Sequence, residues 1–414
     1  MNYSNRLCAN LTLTSLTFVV VLSAGGALSA NEPAPSAAKP AQPAAAPGQP
    51  SATSVAQPSG YPGMPPLVDP TNLYSETAAG RFSAAVEGAL PRVYVPNVSS
   101  SEVYVIDPAA FKVVGHFRVG INPQHIVPSW DLKTLWVANN AEGRTDGSLT
   151  PIDPKTGKPG KPVAVDDPYN MYFTPDGKHA IVVAEAHERL DFRTVGDMKL
   201  DWSLPVPKCK GINHADFAAD GRFAIFTCEF TGTLAKVDLV DRKVLGYLKL
   251  SKGGMPQDVR ISPDGKVFFV ADMMADGVFV IDGAAFNEIG FVPTGVGAHG
   301  LYPSRDGKKL YVSNRGSNKI HGRPHGKGSV SVLDFATRKV DVTWPIPGGG
   351  SPDMGNVSAD GKHLWLSGRF DDVVYAIDTA NGSVRQIRVG KEPHGLTVWP
   401  QPGRFSLGHT GNLR

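Results

Sequence analysis

A strand–turn–strand outline recurs along this chain at nearly constant spacing, and it constrains the fold more tightly than any other feature. PQDVRISPDGKVFFVAD (Pro256–Asp272) shows it in full, and DPYNMYFTPDGKHAIVVAE, GAHGLYPSRDGKKLYVSN and SPDMGNVSADGKHLWLSG repeat it. Aligned on the turn aspartate, the copies fall at Asp131, Asp176, Asp220, Asp264, Asp306 and Asp360, with a degenerate last copy around Gly403. The steps are 45, 44, 44, 42 and 54 residues. Periods of this size signal a repeated supersecondary unit. Each period contains four short runs with a hydrophobic period of two, for example PQDVRIS, VFFVAD, GVFVID and NEIGFVPTG. Pro and Asp suit the early positions of a type I turn, and Gly suits the left-handed residue that follows. DPKTG (Asp153–Gly157) does the same between outer strands. A four-stranded antiparallel sheet repeated radially is a β-propeller blade.

Seven inner strands begin near Gln124, Tyr169, Asn213, Gln257, His299, Asp353 and His394, and they number blades one to seven in that order. Blade seven has only its inner strand at the C-terminal end. Its three missing strands stand at the front as RVYVPN, SEVYVID and KVVGHFRVG (Arg92–Gly120). The predicted fold is therefore all-β, a seven-bladed propeller over residues 89–414 closed by pairing the two ends of the chain. Closure removes the edges an open stack would expose, and a monomer is expected.

The first 30 residues read as an export signal: Arg6, an apolar run LTLTSLTFVVVLSAGG, and a small-residue cleavage site ALSA near Ala30. The run is short for a membrane span, which favours removal over a retained anchor. A periplasmic or secreted location follows, and no later segment is long enough to span a bilayer. Residues 31–88 are a linker and lead-in. Their Ala/Pro/Ser/Gln-rich part, Asn31–Pro66, lacks the apolar content for a core and reads as a disordered tether. A net charge of +3 gives no electrostatic footprint for nucleic acid or membrane.

RVYVPN, LWVAN and LYVSN, each followed by a VID-type strand, resemble the YVTN-repeat family of seven-bladed propellers over roughly Ala89–Arg414. The resemblance implies a fold close to the haem d1 domain of cytochrome cd1 nitrite reductase. Such a reductase also needs a c-type haem, and the chain has no CxxCH, so that activity is not implied. Of three cysteines, Cys8 lies in the signal. Cys209 precedes the third inner strand and Cys228 ends its neighbour, with a turn at Ala219–Gly221 between them. A disulfide is expected there, closing a loop worth about 3 kcal/mol.

Two rings of residues face one mouth of a propeller channel. The first is the pair at the start of each inner strand: Gln124-His125, Tyr169-Asn170, Asn213-His214, Gln257-Asp258, His299-Gly300, Asp353-Met354 and His394-Gly395. His125, Asn170, His214, Asp258, His299, Asp353 and His394 are the candidate ligand-binding members. The same polarity also suits residues that merely satisfy strand backbone and channel water. The second ring closes each second strand: Asn97, Asn139, Glu185, Glu229, Asp272, Asn314 and Gly368. Asn caps the following turn well, and Glu does so poorly. Glu185, Glu229 and Asp272 are thus candidate ligands for a divalent metal, with salt bridges to Arg189 or Arg193 as the structural reading.

The 54-residue step comes from an insertion in blade five, NRGSNKIHGRPHGKG, carrying Arg315, Lys319, His321, Arg323, His325 and Lys327, with Arg369 on blade six. It should overhang the mouth and favour an anionic ligand or partner. His116, His179 and His363 fall on outer strands or the far face. The leading reading is an exported binding or scaffold propeller that takes a small polar ligand, cofactor or protein at its mouth. The alternative is an enzyme. One form is a d1-type oxidoreductase relative holding a tetrapyrrole through His125, His214, His299 or His394. The other is a metal-dependent hydrolase or lactonase using Glu185, Glu229 and Asp272. Basic residues interleaved with aromatics are absent outside the insertion, and single-strand nucleic-acid binding through the insertion, a third possibility, would show steep salt dependence.

Overall fold

A computed structural model describes residues 60–320 and 326–414. The expected signal peptide, most of the expected tether, and His321, Arg323 and His325 lie outside the described residues. Seven antiparallel sheets form the propeller. Blades two to six each run in chain order across four strands, as in Pro256–Ile261, Val267–Asp272, Gly277–Asp282 and Asn287–Pro293. Blade seven is the expected composite, with Thr397–Trp399 paired to Arg92–Asn97, followed by Glu102–Asp107 and Lys112–Arg118. Blade one ends in two fragments, Lys158–Pro159 and Val163–Ala164, both paired with Ser148–Asp153. Pro159 and Pro162 flank the break, and proline, which cannot donate to a ladder, is tolerated on an outermost strand because the outward-facing N–H position there needs no strand partner.

Inner strands are buried along their whole length, as in Ile212–Phe217 and Pro256–Ile261, because neighbouring blades cover both faces. Outermost strands alternate between exposed and half-buried positions, as in Lys112–Arg118. The aspartate turns behave as their residues demand. Gly177, Gly221, Gly265, Gly307 and Gly361 all take φ between 68° and 78°. Blade one has Leu132 at this position, at φ 63°. The strain of a bulky left-handed residue is offset there because its side chain is fully buried in the core between blades seven and one.

Two segments outside the blades complete the body. The lead-in is bound to the aspartate-turn face: Tyr61 N–H donates to Asp220 (2.8 Å), Leu73 N–H to Pro263 (2.8 Å) and the Tyr74 hydroxyl to Ile261 (2.6 Å). The expectation of a free tether therefore fails over Gly60–Pro66. Composition alone overlooked that Tyr61, Leu67, Leu73 and Tyr74 can borrow the propeller's core instead of building one.

At the other end, the chain beyond Trp399 turns back into the channel. Phe173 N–H donates to Leu407 (3.0 Å), and Asn412 Nδ2 donates to Ala215 (2.9 Å). Arg414 Nη2 meets Asp216 Oδ1 at 3.0 Å, with Arg260 also beside Asp216. Phe405, Leu407 and Leu413 are buried by this plug.

Candidate functional site

Successive residues of a flat strand point to opposite faces, so a pair of neighbours cannot both line a channel without a local irregularity. The structure supplies one in every blade. Pro256 pairs with Asp272 but Val259 with Val270, so three residues advance opposite two, and blades three, five and six repeat this shift. Blades one and two carry the same single extra residue, at Pro123/His125 and Pro168/Asn170. In blade seven the step from Pro393 to Thr397 faces only Asn97 to Tyr94. A β-bulge re-aims side chains, and here it separates the pairs into two layers.

The upper layer walls a cavity of about 450 Å³ at the mouth, with Gln124, Tyr169, Gln257, His299 and His394 in its lining. Glu185 and Glu229 join them from short 3-10 turns that follow the second strands of blades two and three. Arg315, Ile320 and Arg369 complete the opposite side, so the insertion does reach the mouth. The lining is uneven in character: Glu142, Asp167, Glu185, Glu188 and Glu229 stand with Lys210 on blades one to three, and His299, Arg315, Arg369 and His394 on blades five to seven.

Beneath the basic wall, Asp353 is fully buried and holds three partners. Arg315 donates from Nε (2.9 Å) and Nη2 (3.2 Å), His299 from Nδ1 (3.0 Å) and His394 from Nδ1 (2.7 Å). Burial pushes the carboxyl upward, but Arg315 and the two imidazoles outweigh it and keep Asp353 well below the ordinary carboxylate range. Burial likewise holds His299 down at about 4, and burial with the Arg369 charge holds His394 at about 3. Both rings are therefore neutral at physiological pH. With Nδ1–H committed to Asp353, each is left with a lone pair at Nε2, and neither Nε2 bonds a described residue. Such a nitrogen serves as base, acceptor or metal ligand.

Arg369 is 7% exposed; Nη2 pairs with Glu392 (3.1 Å), and Nε and Nη1 have no acceptor among the described residues. On the acidic wall, burial and then the Glu229 charge raise Glu185 well above the ordinary range. Glu229 is also raised by burial, against hydrogen bonds from Gln257 and Asn213 (Nδ2 to Oε2, 3.0 Å). The cavity thus holds, on one wall, a carboxyl shifted toward its protonated form by burial and the Glu229 charge, and neutral imidazoles on the other.

Asp272 is not in this lining. Its Oδ1 accepts the N–H groups of Met255 (2.8 Å), Met274 (3.0 Å) and Ala275 (2.9 Å) and so caps the following turn, whereas Asn97 and Asn139 donate from Nδ2 to Val95 and Val137 carbonyls of their own strands. The candidate metal triad is therefore split, with two members in the cavity and the third outside. The expected salt bridges are also corrected. Arg189 pairs with Asp166 (3.2 Å) and Asp191 (2.9 Å), and Arg193 with Asp191 (3.8 Å), because both lie on the third strand below the glutamates.

A family model described as "YNCE-like beta-propeller" matches residues 52–402. The chain belongs to that family. Relatives of the YNCE-like chain include the "Uncharacterized protein YncE" of Salmonella typhi, 24% identical over 279 residues that cover 64% of this chain and 74% of that protein. "Antigen Lp49" of Leptospira interrogans is 28% identical over 192 residues, 40% of this chain. The match spans only 38% of the antigen's length. Among solved structures, "Dihydro-heme d1 dehydrogenase NirN in complex with DHE" superposes with a TM-score of 0.55 at 16% identity, covering 81% of this chain and 82% of that one. That likeness is one of fold.

The lower layer of this YNCE-like propeller holds the remaining candidates. Asp258 accepts the N–H groups of Val259 (2.9 Å) and Leu301 (2.9 Å) and meets Arg260 at 3.4 Å, tying blade four to blade five. Asn170 Nδ2 lies 3.2 Å from His214 Nδ1. His125 and His214 meet His409 of the C-terminal plug, with ring centroids 4.1 Å and 4.7 Å away. His409 was missed in sequence because it sits beyond the last repeat, where no period assigns it a place. The four predicted histidines thus form two pairs at different depths. Cys209 and Cys228 are bonded as expected.

Proposed function

We propose that this exported propeller binds, at the mouth cavity, a small polar ligand bearing a carboxylate-class anion. Arg369 carries the reading: a buried guanidinium on the cavity wall whose Nε and Nη1 have no acceptor among the described residues is costly unless something supplies one. The cavity volume of about 450 Å³ falls in the range of small-molecule sites. Glu185 on the facing wall, shifted toward its protonated form, adds a polar group for a second contact. Export is supported by the buried disulfide, which persists in oxidising compartments, and by the leader-like first 30 residues. Among the described residues, no helix is long and apolar enough to cross a membrane.

Isothermal titration with acetate, succinate and glycine tests this against Arg369→Gln. At least one probe should bind the wild type and bind the variant tenfold or more weakly. No binding by any probe, or equal binding by the variant, refutes it.

A second reading is favoured by one observation. His299 and His394 are fixed through Nδ1, with no bond to Nε2 among the described residues, which fits an axial ligand for a tetrapyrrole of the kind named in the NirN complex. Such a group would supply redox chemistry, and Asp353 would orient the ligating imidazole. Haemin titration should then give a Soret shift that disappears in His299→Ala or His394→Ala. An unchanged spectrum in the wild type removes it.

A further inference from the structure

We propose that His125, His214 and His409 form a site for a zinc- or copper-class transition-metal ion in the channel beneath the mouth cavity. Ligand atoms of the three side chains all lie within 4.8 Å of one another, and all three residues are at most 1% exposed. Five of their six ring nitrogens have no hydrogen-bond partner among the described residues: both of His125, both of His409 and Nε2 of His214. Buried polar atoms are rarely left so. Three converging imidazoles are the donor set that zinc, copper and nickel prefer, and three protein ligands leave a coordination position open.

A tetrahedral ion with metal–nitrogen bonds of about 2.0–2.1 Å wants its donors about 3.3 Å apart, so the rings must turn inward slightly. His125 and His409 can turn because no hydrogen bond holds either ring. Room for His125 is kept by Gly395, where a Cβ would stand 1.9 Å from His125 Nδ1. The site lies directly beneath the cavity wall: His394 of that wall packs 4.7 Å from His125, centroid to centroid.

His214 sets a requirement. Ligation through Nε2 places the remaining proton on Nδ1, which then needs an acceptor, yet that atom faces Asn170 Nδ2 while Asn170 Oδ1 accepts Met171 N–H (2.8 Å). The amide must therefore turn when metal binds. An aspartate at 170 would offer oxygens to both partners, and such outer partners change metal affinity about 10–100-fold. The rival occupant is one ordered water, which three nitrogens at this spacing also suit.

The test uses the exported chain without a polyhistidine tag, stripped by chelation and dialysed against Zn²⁺, Cu²⁺ or Co²⁺. One ion per chain is expected, with a visible Co²⁺ band. Affinity should fall more than about 100-fold in His409→Ala and in His125→Gln, and rise about tenfold in Asn170→Asp. Because that last change is a gain, a misfolded variant cannot mimic it. Less than one ion per chain, or binding unchanged by both histidine variants, overturns the proposal and leaves the site to water. So does an Asn170→Asp variant that fails to tighten binding.

Discussion

His394 donates its Nδ1 proton to Asp353 Oδ2 over 2.7 Å, and His299 donates its own Nδ1 proton to Oδ1 over 3.0 Å. One carboxylate thereby fixes the tautomer of two imidazoles on different blades and aligns their lone pairs with the cavity they line. Arg315 supplies the charge that keeps this carboxylate ionised away from water.

Asp353→Asn should consequently be severe. The amide cannot accept from all three donors and leaves Arg315 as an uncompensated buried charge, a loss of about 3–5 kcal/mol in urea unfolding. The double variant Asp353→Asn/Arg315→Met should recover part of it. A single variant within about 1 kcal/mol of wild type would show that the cluster is not a buried ion pair.

Acid and base walls should pull stability in opposite directions with pH. His299 and His394 are depressed in the fold, so their contribution is complete above about 6.5 and is lost as pH falls toward about 4 and 3. Glu185 is raised, so its contribution is complete below about 4.5 and is lost as pH rises toward its folded value. Glu185→Gln should therefore raise Tm at pH 7.5 and leave it nearly unchanged at pH 4. The reverse pattern in a thermal-melt series would exclude a protonated Glu185.

The Cys209–Cys228 bond spans 19 residues of sequence and both cysteines are fully buried. Native protein should resist dithiothreitol, whereas the double serine variant should lose about 3 kcal/mol. Rapid reduction without unfolding would contradict the burial.

Deleting Arg404–Arg414 should cost on the order of 5 kcal/mol, since Phe405, Leu407 and Leu413 each contribute about 1.5–3 kcal/mol by burial. A truncated chain with unchanged unfolding would mean that the plug contributes nothing to the body.

Much of this was legible beforehand. The aspartate turns, the inner-strand starts and the missing strands at Arg92–Gly120 gave seven blades and their closure, because hydrogen-bonded strands and left-handed glycines leave a local trace at fixed period. Cys209 and Cys228 were placed by the same register. Glu185 and Glu229 stood out because glutamate replaces asparagine at a capping position. Asp272 resembled them in charge but is short enough to cap, and it does.

What the sequence by itself determined is therefore the repeat, its strand count and the ring each side chain belongs to, since these follow from neighbours along the chain. Only the tertiary structure decided depth. A bulge in each inner strand sends His299 and His394 to the cavity and His125 and His214 below it. A tail outside the repeat brings His409 against them, and Asp353 meets Arg315, His299 and His394 across three blades. Those relations depend on how separate sheets pack around one axis, and no residue's local surroundings record them.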